Sequence, residues 1–409
     1  MLSRTKSSNL AQSMVTATHR DSSQILKYNP QLDGLRFFAV LFVVTYHWVP
    51  AIEHFEYSDF LGGFINFFFV LSSYLITRIL FSAKEKSVEA GVAKYKVMIV
   101  FLLRRTIRIF PAYYVYLLIL LILPVIGDEV RKNAGMYFGY LANYQIFYDQ
   151  AWQGVTPHLW TLAVEEQFYV FWPFVILFIP QRFLPKAFLL IIILGIILRV
   201  IFYQPSHVVT QLILTQYCID SFAIGALLAY KVTRPASETR IINKCINGLL
   251  YLAIPAVIFI LVMESHYFSF VIGGLLYSII SMKIIEGAVF GYNGKLGRFL
   301  QNKVVVYIGQ ISYGIYLYHL LVPVLFWRLF DKVYALSHAS FPDFFIRNEK
   351  WLTRFVNILS SQVSCYILYA VLTIAVAMLS WNLIEKPFFK LKVFASLGKQ
   401  KSSMDVKRA

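Results

Sequence analysis

An all-α, polytopic transmembrane bundle of about ten helices, with N- and C-termini cytoplasmic, is expected for this chain. Three observations support it: apolar composition, the length of the apolar runs, and the placement of the basic residues. Of 409 residues, 58% are hydrophobic and 14% charged, and the mean hydropathy is +0.63. Soluble domains carry about 25% charged residues, so the chain is read as integral to a membrane. A bilayer core takes roughly 20 apolar residues as helix. Runs of about that length occupy 34–52, 60–81, 109–126, 158–180, 186–204, 211–231, 246–264, 267–287, 304–328 and 360–385.

Cytoplasmic loops of membrane proteins collect Lys and Arg. With the N-terminus inside, the inner segments hold 29 of the 38 basic residues and the outer loops 7, while Arg36 and Arg199 fall within spans. That asymmetry accounts for the net charge of +17 as orienting, lipid-facing charge and argues against nucleic-acid binding. Cys218, Cys245 and Cys365 lack metal-ligand or CxxC spacing, so neither a disulfide framework nor a metal site is expected. Residues 1–30 read as a flexible cytoplasmic tail, 31–390 as the membrane domain and 391–409 as a basic cytoplasmic tail. The first apolar run is also the first span, so no cleavable leader is expected. No internal repeat stands out.

Ionisable residues inside spans are costly and mark candidate sites. Arg36 and His47 lie eleven residues apart in the first span. Eleven residues make about three helical turns, so the two share a face, separated by about 16 Å. In this orientation Arg36 sits at the cytoplasmic edge and His47 in the outer third. The fourth span enters from outside as "TPHLWTLAVEEQFYVFWP", where His158, Thr161 and Glu165 share one face and Glu166 is turned away. Glu165 is reckoned roughly 10–12 Å below the outer surface, near the level of His47. A His and a carboxylate at one depth suit a general-base pair, and suit a proton relay in a carrier as well. On the inner side, "FLLRRTIRIFPAYY" places Arg105 and Arg108 one turn apart, with Arg104 beside them. Guanidinium groups fork onto phosphate oxygens, whether of a nucleotide or of lipid headgroups.

Several motifs, taken in order, carry a resemblance. "LDGLRFFAVLFVVTYHW" resembles the first-helix signature of the membrane-bound acyltransferase family 3, with Arg, ten residues, then His. "FFFVLSSYLITRIL" resembles its second-helix motif, "RTIR" its R-x-x-R motif, and "HLWTLAVEEQFYVFWP" its W-S-L-x-x-E-Q-F-Y motif. "ISYGIYLYH" and "WNLIEKPF" are similar to its ninth and last helices. The resemblance spans roughly 31–390 and marks that stretch as a transmembrane acyltransferase domain. It implies transfer of an acyl group, usually acetyl, from cytoplasmic acyl-CoA (acetyl-CoA as donor substrate, no metal) to a sugar hydroxyl, commonly of a cell-surface glycan outside. A bacterial cytoplasmic membrane is implied with it.

By position, the resemblance implies that His47 is catalytic and supported by Glu165. Arg36, Arg105 and Arg108 serve the donor, and Ser73 is grouped with them, standing where the family usually has Gly. His158, Trp160, Tyr316 and His319 are expected near the acceptor. His47 is expected to act as general base, with an acyl-imidazole relay as the other route. A water-accessible passage is expected to link the arginines to His47. Trp160, Trp172 and Trp381 also have the placement of interfacial anchors. Asp220 matches a family acid, but Cys218 replaces a common Arg; Arg199 is its nearest partner by depth. The family's frequent hydrolase-like extension would follow Glu385, so the membrane domain is expected to act alone or with a separate partner. The competing class is a transporter moving an anion or coupling protons through the same Arg, His and Glu residues; a scaffold without catalysis is the third.

Overall fold

Why the chain folds as it does starts at Asn29 and Pro30. The Asn29 side chain accepts from Gln31 N at 3.0 Å and donates to the Ala288 carbonyl at 2.7 Å, while Pro30 opens helix α1 (Pro30–Trp48). A side-chain cap followed by proline in the first turn is a strong helix start, and here it also ties α1 to a distant helix. The computed structural model of the chain describes residues 28–49, 58–207, 211–340 and 347–391. Most of both expected tails, and His54, lie outside them.

The regular structure of the described residues is helical. After α1 come α2 (Ser58–Glu89) and α3 (Lys94–Ile122). Three short helices follow on the far side, α4 (Asp128–Lys132), α5 (Ala134–Phe138) and α6 (Ala142–Asp149). Hydroxyls of Tyr113, Tyr114 and Tyr116 on α3 donate to the carbonyls of Tyr137, Phe138 and Val155 at 2.7, 3.1 and 2.8 Å, stitching this connection onto the bundle. Next come α7 (Leu159–Phe178), α8 (Leu184–Ile201), α9 (Thr215–Thr233), α10 (Ala236–Met263) and α11 (His266–Phe290), which contains a π-helical stretch, Ser269–Gly273. The chain continues with α12 (Gly294–Leu300), α13 (Lys303–Gln310), α14 (Ser312–Tyr318), α15 (Leu321–Ser340), α16 (Glu349–Leu359) and α17 (Gln362–Ser380). A π-helical turn, Trp381–Glu385, extends α17.

Among the described residues seven helices are long and apolar enough to cross a membrane, and α14 with α15, bent by 51°, make an eighth if the pair counts as one span. The architecture is therefore the expected polytopic helix bundle. Helices also stand at the expected first and sixth spans, as α1 and α9, but these two fall outside that set. Their polar residues, Asp33, Arg36 and His47 on α1 and Asp220 and Lys231 on α9, lower their hydropathy, and they pack inside the bundle rather than against lipid. The run 304–328, expected as one span, is broken into α13, α14 and the start of α15. One cause is visible: His319 Nδ1 takes the Tyr316 carbonyl at 2.6 Å, so a side chain interrupts the backbone ladder there.

Close backbone approach sets two contacts that position the site. A methyl group on Gly309 would stand 1.9 Å from the Asp33 carbonyl oxygen, so only glycine lets α13 meet the first turn of α1. A methyl on Gly225 would stand 2.3 Å from the Val70 carbonyl and 2.8 Å from Ser73 Cβ, so glycine likewise lets α9 meet α2.

Candidate functional site

Arg36 projects from the first turns of α1, where Nε donates to Ser312 Oγ at 3.2 Å and Nη1 lies 3.8 Å from Asp33 Oδ1. On α3, Arg105 and Arg108 stand one turn apart and turn inward, whereas Arg104 is exposed. Arg36, Arg105 and Arg108 line a cavity with Glu165, Ser72, Tyr169, Gln310, Ser312 and Glu385, closed by an apolar wall that includes Phe68, Phe69, Leu162 and Trp381. Its empty space, open solvent at the mouth included, is about 1060 Å³. Arg105 Nε is buried with no hydrogen-bond partner among the described residues. An unpaired buried guanidinium nitrogen is costly, and an anionic ligand would satisfy it.

Glu165 faces this cavity and Glu166 does not, as the face argument expects. Its position, however, differs from the expected level. Tyr169 OH donates to Glu165 Oε2 at 3.3 Å and is 2.7 Å from Ser72 Oγ, and Arg36 and Arg108 are the charges nearby. Glu165 therefore belongs with the arginines rather than with the imidazole it was expected to support. The reason is register. His158 stacks edge-on to His319 at 5.0 Å between ring centres, and His319 in turn meets His47 at 4.9 Å. His158 thus marks the level of His47, and Glu165, seven residues further along α7, lies about 10 Å deeper.

At that upper level three histidines come together. His47 Nδ1 lies 2.9 Å from the Val43 carbonyl and 3.3 Å from His319 Nε2. His158 Nε2 is 3.0 Å from the Leu317 carbonyl, and its Nδ1 is buried without a hydrogen-bond partner among the described residues. Among the described residues no group of three or more His, Cys, Asp or Glu side chains is arranged to hold a metal ion.

Between the two levels stands Tyr316. Its hydroxyl is 2.6 Å from Thr161 Oγ and donates to the His158 carbonyl at 3.0 Å, and Phe68 packs against its ring at 6.5 Å. Tyr316, Thr161 and Phe68 line the arginine cavity, whereas His47 is not among its lining residues. The lining of this cavity thus ends at the hydroxyl pair and does not take in His47. Both ends are nonetheless tied to one element: Ser312 at the start of α14 holds Arg36, and His319 just past its end meets His47.

Ser73, grouped in sequence with the donor residues, turns away from the cavity. It is fully buried and donates to the Phe222 carbonyl at 2.5 Å, beside Gly225, so its hydroxyl serves helix packing. Its neighbour Ser72 is the serine in the cavity wall. Trp160 is partly buried and packs edge-on to Phe69 at 6.0 Å, behind the cavity wall. Trp172 is buried and donates to Thr77 Oγ at 2.8 Å, and Trp381 lines the cavity, so neither is an interfacial anchor. Asp220 pairs with Arg199 at 2.5 Å, both 1% exposed, as depth suggested. Sequence reasoning missed Ser72, Tyr169, Gln310 and Glu385. Only the position of Glu385 in the last-helix motif could have flagged it.

Comparison with known proteins adds to this geometry. Residues 29–382 match the family model described as an acyltransferase domain, and the chain belongs to that family. It is similar to a peptidoglycan O-acetyltransferase, OatA, of Listeria monocytogenes, with 32% identity covering 72% of this chain and 49% of that protein. It is similar also to a putative peptidoglycan O-acetyltransferase, YrhL, of Bacillus subtilis (29%; 75% and 52%) and to the O-acetyltransferase OatA of Staphylococcus aureus (27%; 92% and 60%). The chain thus spans about half the length of the curated relatives it matches, up to 60%. No solved structure matches it.

Proposed function

We propose, from membership of the acyltransferase-domain family, that this chain moves an acetyl group from acetyl-CoA, bound from the cytoplasmic side, to a hydroxyl of a cell-wall glycan across a bacterial cytoplasmic membrane. The observation that carries the reading is the arrangement along α14: an arginine-lined cavity at Ser312 and the His47 imidazole at His319. Arg36, Arg105 and Arg108 hold the donor's phosphates, with Glu165 and Glu385 as counter-charges that offset the repulsion among the empty guanidinium groups. His47 removes the proton from the acceptor hydroxyl, whose oxygen attacks the thioester carbonyl. The carbon–sulfur bond breaks, and the thiolate recovers the proton from the imidazolium. His158 and Tyr316 lie where the acceptor would approach.

The relatives' names support a peptidoglycan acceptor and disfavour the transporter reading. The purified full chain, given radiolabelled acetyl-CoA and peptidoglycan glycan strands, tests it. Base-labile labelled ester on the glycan is expected. Movement of label across liposomes with no covalent product would instead make the chain a carrier.

A further inference from the structure

We infer that His319 is the positioning residue for His47, holding its ring in the Nδ1–H form so that Nε2 carries the basic lone pair. This rests on reading His47 as the base, and it fills the role expected of a carboxylate with a second imidazole. The argument is one of donors and acceptors. A carbonyl oxygen only accepts, so the 2.6 Å contact of His319 Nδ1 with the Tyr316 carbonyl puts a hydrogen on that nitrogen. In a neutral ring the other nitrogen, Nε2, is then a bare acceptor. By the same logic the 2.9 Å contact of His47 Nδ1 with the Val43 carbonyl puts a hydrogen on His47 Nδ1. The two rings meet through His319 Nε2 and His47 Nδ1 at 3.3 Å, which is a lone pair facing an N–H. A charged His319 would bring two N–H groups together at that distance, so the geometry selects the neutral ring.

The bonds that fix His319 come from α1 and from its own helix, α14. Trp48 Nε1 on α1 donates to its carbonyl at 2.9 Å. Tyr316, whose carbonyl holds the His319 ring, is itself locked to Thr161 and the His158 carbonyl on the α7 side. His319 is wholly buried, and its ring is packed edge-on to both His47 and His158. When His47 takes the acceptor's proton on Nε2, the positive charge spreads to Nδ1–H, where the Val43 carbonyl and the His319 lone pair both accept. No proton need pass from His47 to His319, because the departing thiolate takes the transferred proton from Nε2.

The test is nitrogen NMR of the full chain in lipid, labelled at histidine side chains, with His47 assigned by difference against His47→Asn. A protonated Nδ1 and bare Nε2 for His47 are expected in the unsubstituted protein. A ring protonated on Nε2 overturns the proposal whether or not turnover has been found. Kinetics supply the second readout. His319→Leu removes the acceptor and is expected to lower kcat about 100-fold with KM for acetyl-CoA within about twofold, whereas His319→Gln keeps an acceptor oxygen and stays within about tenfold of the unsubstituted protein. His319→Leu with kcat within about threefold also overturns the assignment, and so does equal loss in both variants with KM raised alike. Absence of acetyl transfer by the unsubstituted protein would count against the functional reading, and the NMR result would still decide the tautomer.

Discussion

In the proposed reaction arginine and histidine divide the labour at the scale of single residues. Arg105 and Arg108 face the cavity and Arg104 does not, so the three variants separate a donor-binding role from general surface charge. Arg105→Ala and Arg108→Ala are each expected to raise KM for acetyl-CoA by about tenfold or more, as loss of a charge-assisted contact implies. Arg104→Ala should leave KM within about twofold. Steady-state kinetics on purified protein check both. Glu165 was legible as a cavity residue because three helical positions on α7 pointed one way. Its partner was not, since depth counted from a membrane surface carries no information about how α7 slides against α1. Ser72 and Ser73 could not be told apart because they are adjacent on α2, and the polar positions Asn66, Ser73 and Thr77 at helical spacing mark the face that packs on neighbouring helices rather than the cavity. Glu385 was hidden by the π-helical turn at Trp381–Glu385, which shifts the side-chain faces that a regular α-helix would give.

Elements carry the positions of those residues, and two contacts between helices can be broken selectively. The Arg199–Asp220 pair joins α8 to α9 with both groups 1% exposed, and Arg199 Nη1 also donates to the Tyr217 carbonyl at 2.7 Å. Arg199→Ala leaves a buried carboxylate without its partner and should cost about 3–5 kcal/mol of stability. Replacing the pair together, Arg199→Met with Asp220→Leu, should recover most of that loss. Thermal unfolding in detergent, followed by loss of monodisperse protein, is the measurement. Gly225→Leu should reduce the folded yield more than Gly195→Leu, because the added carbon at 225 meets backbone at 2.3 Å while at 195 it meets the Ile219 side chain at 3.3 Å. The helices themselves were readable from run length and apolarity. The break that places His319 beside His47 was not, because it arises from a side chain bonding into the ladder of its own helix.

For the whole molecule the proposed reaction requires sidedness: donor and acceptor would meet from opposite faces of the membrane. Counted over the expected spans, the distribution of Lys and Arg, 29 against 7, predicts both termini on the arginine side. A cysteine introduced at Ser403 should react with an impermeant thiol reagent only after cells are opened, and one at Asp128 in intact cells. The reverse pattern would invert the topology.

The central claim is that His47 completes on one side a transfer whose donor is held on the other. Acetyl ester formation by the full chain, reconstituted in one orientation and supplied with radiolabelled acetyl-CoA on the arginine side and glycan strands on the far side, measures this directly. The account predicts ester on the glycan from that side only, falling about 1,000-fold or more in His47→Ala. Undiminished ester from His47→Ala, or equal product with donor and glycan exchanged, would contradict it.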